Sequence, residues 1–287
     1  MNILGKRKLW YTISLIFIVI GLGFLIFRGL NFGLDFQGGT LVEFKFDQPV
    51  SNSEVRQLFS ELEIAEDARI QQSGEAGIHG VIIRTRELSP DEITRIEEAL
   101  ASKYHSTEIL RTETVGPVIG KELRGKALWA LLIASIAMVI YISIRFELRF
   151  AIVAIIALLH DVFIIMGIFA ILYKEINIAF IAALLTVIGY SVNDTIVIFD
   201  RIRENMKLQR KLTFEKLANK AVVSTLSRSI NTSVTTLITI LAVYLFGGAS
   251  IRVFMLALLI GVIAGTYSSI FIASSLLVSF GNRFFND

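Results

Sequence analysis

A few ionisable and amide side chains stand inside stretches of this sequence that are otherwise apolar. The carboxylates and the imidazole are groups able to carry a proton, and the amides can hydrogen-bond to them. His160 and Asp161 are adjacent within the stretch Phe150 to Tyr173. Asn193 and Asp194 follow Thr186 and Tyr190 at spacings that, on a helix, put all four within one third of the circumference. Arg228, Thr232, Thr235 and Thr239 recur at i+4 or i+3, with Asn231 and Thr236 beside them. Two such helices, facing each other, would form a hydrated proton path with Asp194 as the titrating group and Arg228 at its basic end. The plain alternative is structural. Ser, Thr and Asn often hold membrane helices together, and an arginine at a helix end can snorkel to the interface. For Asp194 the functional reading is favoured, because an ionisable group inside a membrane helix costs about 2.5–3.5 kcal/mol or more. For Asp161 both readings stay open, since His160 is adjacent and could share its proton. Asp200 and Glu204 read as interfacial charges.

Other chemistries fail on their residues. Gly120-Lys121-Glu122-Leu123-Arg124-Gly125-Lys126 matches the start of a phosphate-binding loop, but Ala127 stands where a magnesium-binding hydroxyl is required. The run leads into an apolar stretch rather than a helix opening off a sheet. An intramembrane aspartyl protease would need a glycine pattern before its second acid, where Asn193 stands. No serine-protease or zinc-protease motif occurs. No metal-ligand cluster is visible; His79 and His105 are isolated. With no cysteine, thiolate metal sites, disulfides and cysteine nucleophiles are excluded. The expectation is a non-enzyme without cofactor or metal, coupled to H⁺ or, alternatively, to Na⁺.

The elements that must position these groups follow from composition. Of 287 residues, 54% are hydrophobic and 18% charged, with mean hydropathy +0.67. A bilayer-spanning helix needs about 20 mainly apolar residues. Six stretches qualify: Leu9 to Phe27, Ala127 to Ile144, Phe150 to Tyr173, Ile176 to Phe199, Ile230 to Phe246 and Val253 to Phe280. The first is too long for a signal-peptide core and lacks a cleavage site, so it reads as a retained anchor.

Net charge is only +3, and the positives mark topology rather than a nucleic-acid footprint. Lys6, Arg7, Lys8, Arg145, Arg149, the run from Arg201 through Arg210, Lys211, Lys216 and Lys220 to Arg228, and Arg283 fall on one side. The two short loops opposite hold only Lys174 and Arg252. That bias places both termini in the cytoplasm. The expected organisation is a cytoplasmic N-terminus (1–8), a first span (9–28), an extracytoplasmic domain with connectors (29–126) and spans two to four (127–200). A basic amphipathic segment lying on the membrane surface (201–228), spans five and six (229–280) and a cytoplasmic tail (281–287) complete it. Gly261 and Gly265 give the sixth span a small-residue face for close helix packing.

Between spans one and two, Leu41 to Phe46 alternates like a half-buried strand. Ser51-Asn52-Ser53-Glu54 is a capping box, and Val55, Leu58, Phe59 and Leu62 give a helical stripe. Ala68 to Gln72 and Gly80 to Thr85 read as strands joined by a Gly74-Glu75-Ala76-Gly77 turn. Ser89-Pro90-Asp91-Glu92 opens a second helix with apolar Ile93, Ile96 and Leu100. Glu108 to Val115 is the last strand. The order βαββαβ predicts a ferredoxin-like α+β domain, a fold that by itself names no function.

Several of these residues fall into longer motifs: Gly33-Leu34-Asp35-Phe36-Gln37-Gly38-Gly39, Val115-Gly116-Pro117-Val118-Ile119-Gly120, His160-Asp161, Gly189-Tyr190-Ser191-Val192-Asn193-Asp194-Thr195 continuing to Glu204, Ser227 to Ser233, and Gly265-Thr266-Tyr267-Ser268-Ser269. Their order and spacing along the whole chain resemble the SecF branch of the SecD/SecF family, within the RND transporter superfamily. That family usually has Thr where Ser229 follows the arginine, a change that keeps the hydroxyl. The resemblance implies six spans forming half of an RND-like bundle, in the bacterial cytoplasmic membrane. It implies pairing with SecD, association with the SecYEG channel and with other Sec accessory membrane proteins, and use of the proton-motive force in late steps of preprotein export. Carried onto this chain, its proton-relay positions are Asp194 and Arg228. The residues themselves, apart from the resemblance, offer His160, Asp161, Asn193, Tyr190, Asn231 and Thr232 as relay or supporting groups. Asp35, Gly38, Gly39, Gly116 and Pro117 carry the family's motif. Two rivals are a scaffold that only stabilises the SecD–channel complex, and an RND-like half-transporter of small molecules or lipids.

Overall fold

A computed structural model describes residues 1–65, 68–72, 79–104, 107–208 and 212–284. The Gly74–Gly77 turn, His105, Arg210 and Lys211 lie outside the described residues, and the Arg283 side chain is not described. The chain divides into two compact units, Met1–Asn31 with Trp129–Asp287, and Phe32–Leu128.

In the second unit a one-turn helix α2 (Leu34–Gln37) precedes strand β1 (Gly39–Phe46). Helix α3 (Asn52–Leu62), strands β2 (Arg69–Gln72) and β3 (His79–Thr85), helix α4 (Pro90–Tyr104) and strand β4 (Thr107–Val115) follow. The sheet order is β2-β3-β1-β4, and every neighbouring pair is antiparallel. Val42, Phe44 and Phe46 share one face of β1 because side chains alternate along a strand. That face is buried with Val81 and Ile83 of β3, Val55, Leu58 and Phe59 of α3, and Ile96 and Leu100 of α4. Between Glu43 and Phe44 the pairing with β4 shifts register at a bulge.

Both helices start on reciprocal caps. Ser51 Oγ accepts the Glu54 N–H, and Glu54 accepts the Ser51 N–H at 3.1 Å. Ser89 Oγ accepts the Glu92 N–H at 3.3 Å, and Glu92 Oε2 accepts the Ser89 N–H at 2.8 Å. Arg86 pairs with Glu92 at 2.5 Å.

The first unit holds the membrane helices. Among the described residues six helical stretches are long and apolar enough to cross a bilayer. They are α1 (Arg7–Phe27), α5 (Pro117–Arg145), α6 (Leu148–Leu172), α7 (Ile178–Leu208), α8 (Phe214–Phe246) and a composite last span. That span comprises α9 (Ala249–Tyr267), a π-helical stretch Ser268–Ala273 and α10 (Ser274–Phe284). Lipid is as apolar as leucine, so these helices associate through close packing rather than through a hydrophobic drive. Accordingly α1 meets α6 at a glycine pair: a Cβ on Gly21 would lie 2.8 Å from the Cα of Gly167, and the converse holds. Helix α7 packs on α9, where Gly261 faces Val187 and Gly265 faces Ser191.

One expectation is corrected. Residues 201–228 are not a separate amphipathic helix on the membrane surface. Arg201 to Leu208 continue α7, and Phe214 to Arg228 begin α8. The apolar residues of that segment pack inward: Ala218, Ala221 and Val222 are buried with Ile198, Phe199 and Ile202 of α7 and with Ile3 and Leu4. Asn219 fixes the N-terminus there. Its Oδ1 accepts the N–H groups of Ile3 and Leu4, and its Nδ2 donates to the Met1 carbonyl. A buried partner was available within the chain, so the apolar face had no need of lipid.

Arg86, with the Ser89 backbone, holds the Glu92 carboxyl down to about 2. A depressed carboxyl stabilises the folded state above its unfolded value and loses that contribution as pH falls through the folded value. The α4 cap should therefore be intact at neutral pH and weaken between about 4.5 and about 2. Glu92→Gln is expected to lower the unfolding temperature of this unit near neutrality, with the gap to the parent protein closing over that acid window. Thermal denaturation across pH checks this; a gap independent of pH would contradict it.

Candidate functional site

The membrane unit brings the predicted polar residues into two separate places. Asp161 is 1% exposed and Asp194 4%, so both carboxylates are inside the helices rather than on them. Asp161 is the better partnered. Its Oδ2 accepts from Ser191 Oγ of α7 at 2.6 Å and from Ser268 Oγ of the π stretch at 2.8 Å. Its Oδ1 lies 2.9 Å from His160 Nδ1. His160 Nε2 is 3.0 Å from Ser14 Oγ on α1. Ser14 in turn meets the Tyr267 hydroxyl at 3.3 Å, which donates to the Trp10 carbonyl at 3.0 Å.

Asp194 has a different environment. Its Oδ2 is buried and accepts no hydrogen bond from the described residues. Among them it forms no direct ion pair with Arg228, although that guanidinium acts on it through its charge. The four residues predicted to share a stripe part company: Asn193 and Thr186 are exposed, Tyr190 is half-buried and Asp194 is buried. The Tyr190 hydroxyl donates to Ser233 Oγ at 3.4 Å, and Ser233 lies 2.6 Å from Thr266 Oγ1, joining α7, α8 and α9. Asn193 lines an open groove of about 600 Å³ with Ala134, Met138 and Tyr141 of α5.

The expected face-to-face arrangement of two polar stripes is not what the helices adopt. Arg228, Asn231, Thr232, Thr235 and Thr239 are exposed along α8. Their threonines return hydrogen bonds to their own helix, Thr232 to the Arg228 carbonyl and Thr239 to that of Thr235. Level with the stripe, the α8 hydroxyls that look inward are those of Ser229 and Ser233, one position off it. Small hydroxyls fit the close α8–α9 and α8–α7 contacts better than threonines and an arginine do.

Sequence reasoning missed Ser14, Tyr267 and Ser191 as partners of the His160–Asp161 pair. Each belongs to another helix, and local periodicity carries no information about such distant contacts. The visible signal was Ser14, close to Tyr11 and Thr12 in a largely apolar first span, and the hydroxyl cluster after Gly265. Among the described residues no three His, Asp or Glu stand together to hold a metal.

The motif glycines form a mechanical site in the other unit. Gly38 has φ +75° and Gly39 φ +117°, a region that favours glycine. A Cβ on Gly39 would collide with the Thr85 carbonyl oxygen. One on Gly38 would lie 3.1 Å from the Cα of Pro117, and one on Gly120 3.1 Å from the Gly38 nitrogen. Pro117 is the first residue of α5, where a missing N–H costs nothing. Arg124 donates to the Phe36 carbonyl. The α2 turn carrying Asp35, the start of β1 and the first turns of α5 after Gly116 are thus packed backbone against backbone.

Comparison with known proteins fixes the family. The family profile described as protein export membrane protein SecD/SecF, C-terminal, matches residues 95–283. The SecD/SecF GG motif matches residues 23–50, the segment holding Asp35, Gly38 and Gly39. The chain belongs to the SecD/SecF family. Among its relatives, the protein translocase subunit SecF of Calditerrivibrio nitroreducens is 44% identical, over 96% of this chain and 93% of that protein. SecF of Desulfurispirillum indicum is 45% identical, over 95% of this chain and 89% of that protein. The crystal structure of SecDF, a translocon-associated membrane protein of Thermus thermophilus, superposes with a TM-score of 0.90 at 37% identity. That superposition covers 99% of this chain, which spans 39% of the length of SecDF. Similarity of this extent makes the chain a SecF-type, multi-pass membrane subunit of the bacterial protein translocase, with a helical RND-like fold.

Gly39→Ala should destabilise the protein by at least about 1 kcal/mol, since it combines a positive φ with a backbone collision. Gly23→Ala on α1, where a Cβ meets nothing within 4 Å, should be neutral or stabilising by about 0.5–1 kcal/mol. Thermal unfolding of the two variants side by side tests the contrast; equal midpoints would refute it.

Proposed function

We propose that this SecF-type chain couples the proton-motive force to late steps of preprotein export, acting with SecD at the SecYEG channel, and that Asp194 is its proton-carrying group. The observation that carries this reading is the Asp194 carboxylate, buried in a membrane helix with one oxygen that accepts no bond from the described residues. A buried acceptor left open is costly. A proton arriving at that oxygen would remove the cost. Arg228 is the counter-charge, exposed on the neighbouring helix.

The exposed stripe of Arg228, Asn231, Thr232, Thr235 and Thr239 supports a partner in the membrane. Polar groups facing lipid are unfavourable, whereas a second six-span bundle would cover them. SecD is that partner in the present reading, completing a twelve-span assembly. The unit between spans one and two is read as an extracytoplasmic ferredoxin-like domain, supported by its βαββαβ order and antiparallel β2-β3-β1-β4 sheet. Both termini are then cytoplasmic, in keeping with the positive-inside bias. One charge moving through about 100 mV yields about 2.3 kcal/mol, enough to shift a two-state element about fifty-fold.

The test is preprotein translocation into vesicles containing SecD and SecYEG, with and without an imposed proton-motive force. Asp194→Asn at matched abundance should abolish the force-dependent component and leave basal translocation and assembly with SecD intact. An unchanged force response would sink the Asp194 relay and leave the chain either a scaffold for SecD and the channel or one whose proton site is His160 and Asp161.

A further inference from the structure

The hydrogen-bonded run through His160 has more links than a neutral imidazole can supply with protons. Four links join the Asp161 carboxylate to the backbone of α1: Asp161 Oδ1 to His160 Nδ1, His160 Nε2 to Ser14 Oγ, Ser14 Oγ to Tyr267 Oη, and Tyr267 Oη to the Trp10 carbonyl. The two terminal oxygens bring no proton, one being a carboxylate and the other a carbonyl. Ser14 and Tyr267 bring one each. A neutral imidazole brings a third and leaves one link empty. An imidazolium brings two, and then every link holds a proton: Nδ1–H to Asp161, Nε2–H to Ser14, Ser14 to Tyr267, Tyr267 to Trp10.

The surroundings suit a charge pair. Asp161 collects two further donors, from Ser191 and Ser268, so it is satisfied as a carboxylate at both oxygens. His160 is buried and stacks on Tyr267 with ring centroids 6.1 Å apart. On the Nε2 side lies a cavity of about 330 Å³ lined by Ile13, Phe17, Ile164, Ile260 and Ile263 around Ser14, His160 and Tyr267. That lining offers no competing polar partner. Ser268, which ties Asp161 to the last span, opens the π-helical stretch; such stretches are uncommon and concentrate at functional positions.

We propose that His160 and Asp161 form a second proton-binding site of this chain, in which the bound proton resides on the imidazole and closes the bonded path from α6 through Ser14 and Tyr267 to α1. Loss of that proton empties one link, so the polar attachment of α1 to α6 and α9 changes with occupancy. The site stands apart from the Asp194 relay and does not need it. The titratable group facing the pair, besides its own two members, is Tyr267. On α7 the face presented is Ser191, with Asp194 three residues further along. Among the described residues the other charges on the packed helices, Arg7 and Lys8 of α1, Arg149 of α6, Asp200, Arg201, Arg203, Glu204 and Lys207 of α7 and Arg252 of α9, lie toward helix ends.

The chain has three histidines, which makes the test direct. With His79→Gln and His105→Gln, the full chain is labelled with ¹⁵N-histidine, reconstituted in phospholipid vesicles and examined by solid-state NMR. A form with protons on both ring nitrogens of His160 should be observed between about pH 5 and about pH 9, converting to a single N–H as pH is raised. Ser14→Ala, which removes the Nε2 acceptor and leaves Asp161 untouched, should shift the Nε2 resonance and the pH of conversion. Asp194→Asn should change neither. A neutral ring at all values from about pH 5 to about pH 9, or an Nε2 resonance indifferent to Ser14→Ala, would overturn the proposal. Its failure is distinct from failure of the Asp194 reading, which is scored by force-dependent translocation alone.

Discussion

Inside a bilayer there is no water to complete a hydrogen bond, so each buried polar group must find its partner within protein. The Asp161 carboxylate shows how much of this chain is arranged by that constraint. Three donors reach it, from α6, from α7 and from the last span, while its histidine neighbour extends the set to α1. Apolar side chains cannot choose among helices in lipid, because lipid is an equally good neighbour. A carboxylate can, because only certain rotations and depths of each helix present a hydroxyl to it. The glycines do the complementary work. Gly21 against Gly167, and Gly265 against Ser191, bring the backbones close enough for short serine side chains to span the gap.

Asp194 marks a place where the same constraint is left unmet among the described residues, as it also is at the Ser229 and Ser275 hydroxyls. The contrast between the two acids is therefore informative. One has its oxygens filled and ties four helices together. The other keeps an oxygen open among the described residues, beside a helix whose outward stripe exposes Arg228 and Asn231 with threonines bonded back to their own helix. An open carboxylate oxygen and an exposed polar stripe on neighbouring helices are the two observations on which the proposed SecD contact and the proposed proton site rest.

Much of the architecture could be read from local pattern. Alternation in Leu41 to Phe46 predicts a strand, and one runs over Gly39–Phe46. Ser51 with Glu54, and Ser89 with Glu92, predict helix starts that occur where the caps are. The six apolar stretches correspond to six membrane-length helices. Periodicity also names the residues that share a face of α8, but it is silent on what the face looks at. That is why the Thr232–Thr239 stripe was expected to turn toward α7 when it turns away. Charge misled in a similar manner at residues 201–228. Lysines and arginines on one side of a helix are compatible with a membrane surface, and equally with a helix whose other side is covered by Ile3, Leu4 and α7. Ser14 and Tyr267 were beyond reach for another reason: their contact joins residues 253 apart.

The π-helical turn in the last span has a geometric consequence. Such a turn accommodates one residue more than an α-helix does over the same rise. Drawing it tight would advance everything beyond it by one helical step, a rotation of about 100°. Ser274, Ser275, Leu277 and Val278, now buried, would be swung away from α6 and α8 together, while Tyr267 and the residues before it stayed put. The surplus residue thus acts as a vernier between the two halves of the span: the upper half is set by the hydroxyls around Asp161, the lower half by the apolar packing against Phe150 and Phe199, and neither has to compromise its angular setting for the other.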